Sequence, residues 1–178
     1  MPRHNCRSAL DQAWRVGQSV RVLSWLAFAE QEPDMAEQGK SLLYQHGVGL
    51  AFLATIRPDG RPRVHPMCPL ISGDGLFAFI VPSPKQRDLK RSGAYALHSF
   101  PCPTNEDAFY VTGQAGLEPD AHRREALARQ FVAEREAIGV AAPSEDDALF
   151  QLDIESCLLT RTTGHGDSAP DHRVWHAG

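Results

Sequence analysis

The stretch that decides the fold reads GLAFLATIRPDGRPRVHPMCPLISGDGLFAFIVPSPKQRDLKR, from Gly49 to Arg91. Gly49–Arg57 is a strand by pattern. Leu50, Phe52, Ala54 and Ile56 alternate along one face, as the two-residue period of extended chain requires. The other face, Ala51, Leu53 and Thr55, is also mostly apolar, so both sides are expected to be covered. Pro58-Asp59-Gly60 predicts a turn, because proline fixes φ and glycine admits a positive φ. Pro62–Ile71 reads as the next strand. Arg61, Arg63, His65 and Met67 share one face, with Val64, Cys68 and Leu70 largely on the other. Pro62, Pro66 and Pro69 each remove a ladder donor, which predicts an irregular or edge strand. Ser72-Gly73-Asp74-Gly75 then turns the chain into Leu76–Val81, and a basic helix follows over Pro84–Ser92. Two consecutive hairpins predict an antiparallel meander, placing the Arg63/His65 strand beside Leu76–Val81.

Outward from this run, Met35–His46 has helical spacing (Leu42, Leu43, His46) and stops at Gly47. Further strands are predicted over Ala94–Ser99, Ala108–Leu117 and Ala148–Thr160, with a helix from Pro119-Asp120 to about Ala137. Phe100–Asp107, Ile138–Asp146 and Thr162–Asp171 read as loops, and His172–His176 as a short final strand. The expected fold is α+β: six antiparallel strands closing as a barrel with flanking helices.

At 178 residues the chain has the length of one domain. A formal net charge of −4 argues against a nucleic-acid partner. No apolar run approaches the roughly 20 residues that cross a bilayer. Cys6, Cys68, Cys102 and Cys157 have no metal-site spacing and read as reduced thiols of a cytoplasmic protein. Residues 1–34 are set apart from a domain spanning 35–178. Arg3, Arg7, Arg15 and Arg21 precede the patch Val22–Ala29, which is too short and too interrupted for a secretory signal. The readings that stay open are an over-extended start with Met35 as the working first residue, or a real extension, either disordered or carrying an amphipathic helix around Val16–Ala29.

The chemistry concentrates at Ser83-Pro84-Lys85. Ser83 suits an N-cap, Pro84 the first helical position, and Gln86 the third place of a capping box. A helix start alone would explain those three residues. It does not explain Lys85, whose charge opposes the helix dipole at a cost of up to ~1 kcal/mol. A serine hydroxyl, backbone N–H groups and an ammonium together match a phosphate. Arg63 and His65 are candidate additional donors, although an arginine at that spacing reads first as a solvated strand face. Arg87, Lys90 and Arg91 read as exposed helix charges. Cys68 reads as a packed thiol on an apolar face and not as a nucleophile. His165, His172 and His176 lack metal-ligand spacing, so no metal site is expected.

Ala54–Pro66 (ATIRPDGRPRVHP), Asp74–Phe77 and Ser83–Lys85, followed by Phe109–Gly113, Leu149–Leu159 and His172–Trp175, resemble the pyridoxamine 5'-phosphate oxidase-like family, from about Met35 onward. The resemblance implies a six-stranded split barrel that dimerises around flavin mononucleotide (FMN). Ser83 and Lys85 would hold the phosphate, His65 stands at the family's phosphate arginine, and Arg63 lies two residues earlier. Backbone around Pro66, Met67 and Cys68, and around Phe79 and Ile80, would border the flavin ring. Leu70 stands where the true oxidase has a substrate-phosphate lysine, Ala108 where the family has a flavin-contacting glutamine, and the oxidase's C-terminal Arg-x-His is missing. The expected activity is therefore an FMN-dependent oxidoreductase on another small molecule. Two alternatives remain: a reductase using the deazaflavin coenzyme F-420, and a non-catalytic flavin or haem binder using the tail histidines.

Overall fold

The computed structural model describes residues 21–73 and 75–178. The alternation after Gly49 becomes strand β1 (Ala51–Ile56), with Ala51, Leu53 and Thr55 buried and Ile56 exposed. The Pro58–Gly60 turn leads into an antiparallel partner, β2 (Pro62–Met67), in which Leu53 faces His65 and Thr55 faces Arg63. The single strand expected over Pro62–Ile71 breaks at Cys68-Pro69, and β3 (Leu70–Ser72) begins beyond it. Pro66 just before the break and Pro69 within it lack the N–H groups that would have continued one ladder.

That break determines the architecture. The strand path runs β2-β1-β5-β6-β7-β4-β3, with β4 (Gly75–Ile80), β5 (Ala94–Ser99), β6 (Ala108–Leu117) and β7 (Ala148–Arg161). Its two ends, β2 and β3, are joined by only Cys68 and Pro69. Three Cα steps reach about 10 Å, whereas seven strands laid flat would span about 29 Å. The sheet must therefore curl until its edges meet. β8 (Asp171–His176), the predicted final strand, pairs with the C-terminal half of β7, making an eight-stranded sheet where six were expected. The split of the second strand and the ordered tail account for the difference. A bulge between Thr112 and Gly113 bends β6 against β7. Only glycine fits there, because a Cβ would lie 1.8 Å from the Asp153 carbonyl oxygen.

The meander is corrected accordingly: β4 pairs with β3 and β7, and β2 with β1 alone. Arg63 and His65 thus do not lie on a neighbour of β4.

The domain also reaches further back than Met35. Leu23 exchanges backbone hydrogen bonds with Ile154 at 2.8 and 2.7 Å. Helix α1 (Trp25–Gln31) follows, capped by Ser24 Oγ, which accepts from the Ala27 N–H at 3.3 Å. Trp25 and Phe28 are buried in the same core as Leu43, Leu53, Leu97, Phe109 and Trp175. The Val22–Ala29 patch is therefore a core element. Residues 1–20, including the first part of the helix expected around Val16–Ala29, lie outside the described residues. Helix α2 (Pro33–Leu43) continues directly from α1. Helix α3 (Pro84–Ser92) has the predicted limits, and α4 (Ala121–Ala133) covers a second apolar cluster of Leu70, Phe77, Leu127, Phe131 and Leu149. No described helix is long and apolar enough to cross a membrane.

Candidate cofactor site at the start of helix α3

Ser83 caps α3 as expected: its Oγ accepts from the Gln86 N–H at 3.3 Å and donates to the Val81 carbonyl at 2.8 Å. The reciprocal half of the capping box is absent. Gln86 is buried, and its Nε2 donates to the Ile80 carbonyl at 2.8 Å and the Asp146 carbonyl at 3.4 Å. A buried amide must find acceptors, and the end of β4 supplies one beneath it.

Lys85 is placed by barrel closure. Its Nζ donates to the Pro66 carbonyl at 3.4 Å, so the cation at the helix start meets the end of β2. Burial pushes the Lys85 pKa down, and the neighbouring Cys68 thiol pushes it partly back. The structure thus brings together Ser83, Lys85, Pro66 and Cys68. His65 is exposed one residue away, and the Met67 side chain is buried in the core. Cys68 is half-buried against the cluster under α4. Phe79 meets Phe131 edge to face at 5.6 Å with the Arg124 guanidinium 5.3 Å from its ring, and Ile80 is buried.

Arg63 has a partner that the sequence did not suggest. Its Nε donates to Asp88 Oδ2 at 2.9 Å, and Thr55 Oγ1 donates to the same oxygen at 3.1 Å. Asp88 is only 3% exposed, and Arg91 lies 3.9 Å from its second oxygen. Burial pushes the Asp88 carboxyl up, but the hydrogen bonds from Arg63 and Thr55 and the charges of Arg63 and Arg91 outweigh it, and its pKa falls below the usual carboxylate value. Asp88 and Thr55 were not legible as partners, because their pairing needs α3 laid across β1. Arg87 and Arg91, expected as plain exposed charges, join Arg63, Asp88, Pro58 and Pro84 around a pocket of about 270 Å³.

The Asp88 pair has a pH signature. Because the folded-state pKa is depressed, the carboxylate's contribution is complete above an unfolded value near 3.9 and is lost as pH falls through the folded value. Denaturation midpoints should fall between about pH 5 and pH 3 in the wild type. In Asp88→Asn they should start lower and fall less over that range, because the titrating group is gone. Parallel pH profiles of the two proteins would show that this pair does not set the acid limb.

On the outer sheet face, Phe52 of β1 sits opposite His98 of β5, and His98 opposite Tyr110 of β6. Phe52 stacks on Phe100 at 4.4 Å. Ile56, Val64 and Val174 are respectively 42%, 59% and 59% exposed on this face. His98 Nδ1 lies 2.6 Å from the Ser99 carbonyl. A carbonyl only accepts, so Nδ1 carries a proton and donates to it. Of the tail histidines, His172 Nδ1 is bonded to Thr160 Oγ1 at 3.0 Å, and His165 lies in an exposed loop near Glu106. Among the described residues no three His, Cys, Asp or Glu side chains converge as a metal site.

No protein-family model and no curated protein matches the sequence. Solved structures do match its fold. A haem-binding protein from Mycobacterium smegmatis superposes at TM-score 0.58 and 13% identity over 76% of this chain, which spans 56% of that protein. A pyridoxinephosphate oxidase-family protein from Clostridium acetobutylicum, related to general stress protein 26, superposes at TM-score 0.54 and 14% identity, covering 84% of this chain and 94% of its own. The haem storage protein of Vibrio cholerae superposes at TM-score 0.52 and 18% identity, covering 70% and 89%. At such identities the likeness is one of backbone architecture, and it agrees with the curled antiparallel sheet described above. The chain carries the split-barrel fold of the pyridoxamine 5'-phosphate oxidase-like proteins.

Proposed function

We propose that this chain is an FMN-binding oxidoreductase acting on a small molecule. Ser83 and Lys85 hold the cofactor phosphate, and backbone at Pro66–Cys68 and Phe79–Ile80 borders the ring. The carrying observation is the position of Lys85, whose ammonium closes the gap between the start of α3 and the end of β2. The donor set fits a phosphate: a cation, a helix start and nearby guanidiniums. Bound FMN would supply the hydride chemistry, and this chain's residues position it and keep water from it. Leu70, the counterpart of the oxidase's substrate lysine, is fully buried in the apolar cluster under α4, so pyridoxamine phosphate is not the substrate we propose. The apolar outer face around Val64, Ile56 and Val174 fits a second copy of the chain, giving a homodimer with the cofactor between subunits.

A second reading rests on a separate observation. With Nδ1 donating to the Ser99 carbonyl, the exposed His98 ring beside Phe52 and Tyr110 has Nε2 as the atom that would hold a haem iron. On this reading the chain is a non-catalytic haem binder.

Mass spectrometry of the small molecule released from gently purified protein tests both. FMN is the expected result. Deazaflavin without flavin would move the chain to the coenzyme F-420 reductases. A haem complex whose Soret band is lost in His98→Ala, but not in His172→Ala or His176→Ala, would establish the second reading at His98.

A further inference from the structure

Cys68 and Pro69 lie between the last pair of β1 with β2 and the first pair of β3 with β4, so no ladder register fixes the crossover that joins the two sheet edges. Side chains fix it instead. Arg135, just beyond the end of α4, has no exposed surface. Its Nη2 donates to the Pro69 carbonyl at 3.2 Å, and its Nη1 to the Phe131 carbonyl at 3.2 Å. Gly49 passes so close that a Cβ there would lie 2.1 Å from the Pro69 oxygen. Beyond the crossover, the Ile71 N–H donates to Tyr44 Oη at 2.9 Å, and the Ile71 carbonyl accepts from Gln130 Nε2 at 3.0 Å. Glu134 ties these groups together, accepting from Gln130 at 2.7 Å and from Arg135 at 3.4 Å. Burial pushes the Tyr44 pKa up to about 12, against the bond from Ile71, so the hydroxyl stays neutral beside Glu134.

Stability alone does not account for Arg135. Its Nε has no hydrogen-bond partner among the described residues, and a buried guanidinium left partly unpaired serves stability no better than an apolar side chain of similar volume. What the arginine adds is direction, because two donors in a fixed fork set the Pro69 carbonyl against the end of α4. Three residues earlier on the same segment, the Pro66 carbonyl accepts from Lys85 Nζ at 3.4 Å. The crossover is thus held at Pro69 from α4 and met at Pro66 from α3.

We infer that Arg135 is a positioning residue for the proposed phosphate site: by fixing Pro69 it sets the place of the Pro66 carbonyl that the Lys85 ammonium meets, without touching the ligand. The link to phosphate rests on the proposed cofactor reading of Lys85, whereas the hold on the crossover does not.

The test uses Arg135→Met, Arg135→Lys and Tyr44→Phe in the full chain, with three measurements on each. Flavin fluorescence gives the dissociation constants of FMN and riboflavin, peptide mass mapping gives the alkylation rates of Cys68 and Cys102 by iodoacetamide, and the urea midpoint gives stability. Arg135→Met is expected to cut the preference for FMN over riboflavin about tenfold, the size of one charge-assisted contact. It should also speed alkylation of half-buried Cys68 while leaving the rate at Cys102, in the loop after β5, unchanged. Arg135→Lys, which keeps the charge but not the fork, should fall between wild type and Arg135→Met. Tyr44→Phe removes only the hydroxyl that accepts from Ile71. It should move both readouts the same way by less, so it serves as the test if Arg135→Met does not fold. A lower urea midpoint with the flavin preference and the Cys68 rate unchanged overturns the inference, because Arg135 then only stabilises. Equal acceleration at Cys68 and Cys102 overturns it as a general loosening, and a faster Cys68 with an unchanged preference breaks the link to the phosphate site. If no form of the protein binds flavin but Cys68 alone reacts faster in the variants, the hold on the crossover stands and the cofactor reading falls.

Discussion

Phe28→Ala is expected to lower the free energy of unfolding by about 3–5 kcal/mol, the range for emptying a buried aromatic site. Phe28 has no exposed surface. Its ring lies 5.5 Å from Trp25, 6.3 Å from Phe109 and 4.9 Å from Trp175, so it links α1 to β6 and β8. Two polar ties repeat the link: Trp175 Nε1 donates to Gln31 Oε1 at 3.3 Å, and Arg173 pairs with Glu32 at 3.2 Å. A domain's whole stability is about 5–15 kcal/mol, so the loss would show as a large drop in the urea midpoint. A change below about 1 kcal/mol would mean that α1 is not an integral part of the core. The same contacts predict that a chain beginning at Met35, without Trp25 and Phe28, unfolds with reduced cooperativity or fails to accumulate.

Lys85→Ala is expected to weaken FMN binding by about 10–100-fold, from the 1.5–3 kcal/mol of a charge-assisted contact. Riboflavin, which has no phosphate, should bind the variant and the wild type alike. Lys85→Arg should recover part of the loss, since the charge returns with a different shape. The wild-type preference for FMN over riboflavin should shrink as salt rises, because half-buried Lys85 remains open to screening. Unchanged FMN affinity in Lys85→Ala would show that the phosphate does not sit at this junction.

Local signals in the sequence were enough wherever a structural cause is itself local. Ser83-Pro84 at the start and Gly93 after the end set the limits of α3, with Gly93 at φ 69° in the left-handed region that favours glycine. The Pro58–Gly60 turn and the alternation of β1 were legible for the same reason. Three features escaped it. The break at Cys68-Pro69 was marked by prolines, but sending β2 and β3 to opposite edges depends on the pairing of β1, β4, β5 and β7, which comes from distant parts of the chain. The burial of Gln86 hid its escape from the capping box. The role of Trp25 and Phe28 needed β8, a strand more than 140 positions later, to complete their pocket.

The sequence by itself determined the element types, the α+β class, the helix start at Ser83 and the candidate cation there, because each depends on neighbours a few positions away. Tertiary structure alone decided that Lys85 meets Pro66, that Arg63 and Thr55 share the buried Asp88, and that Arg63, Arg87 and Arg91 form one pocket. Those contacts join the β2 end, α3 and β1 across a curled sheet. Side-chain reach is a few ångströms, so only barrel closure can bring such groups within bonding distance.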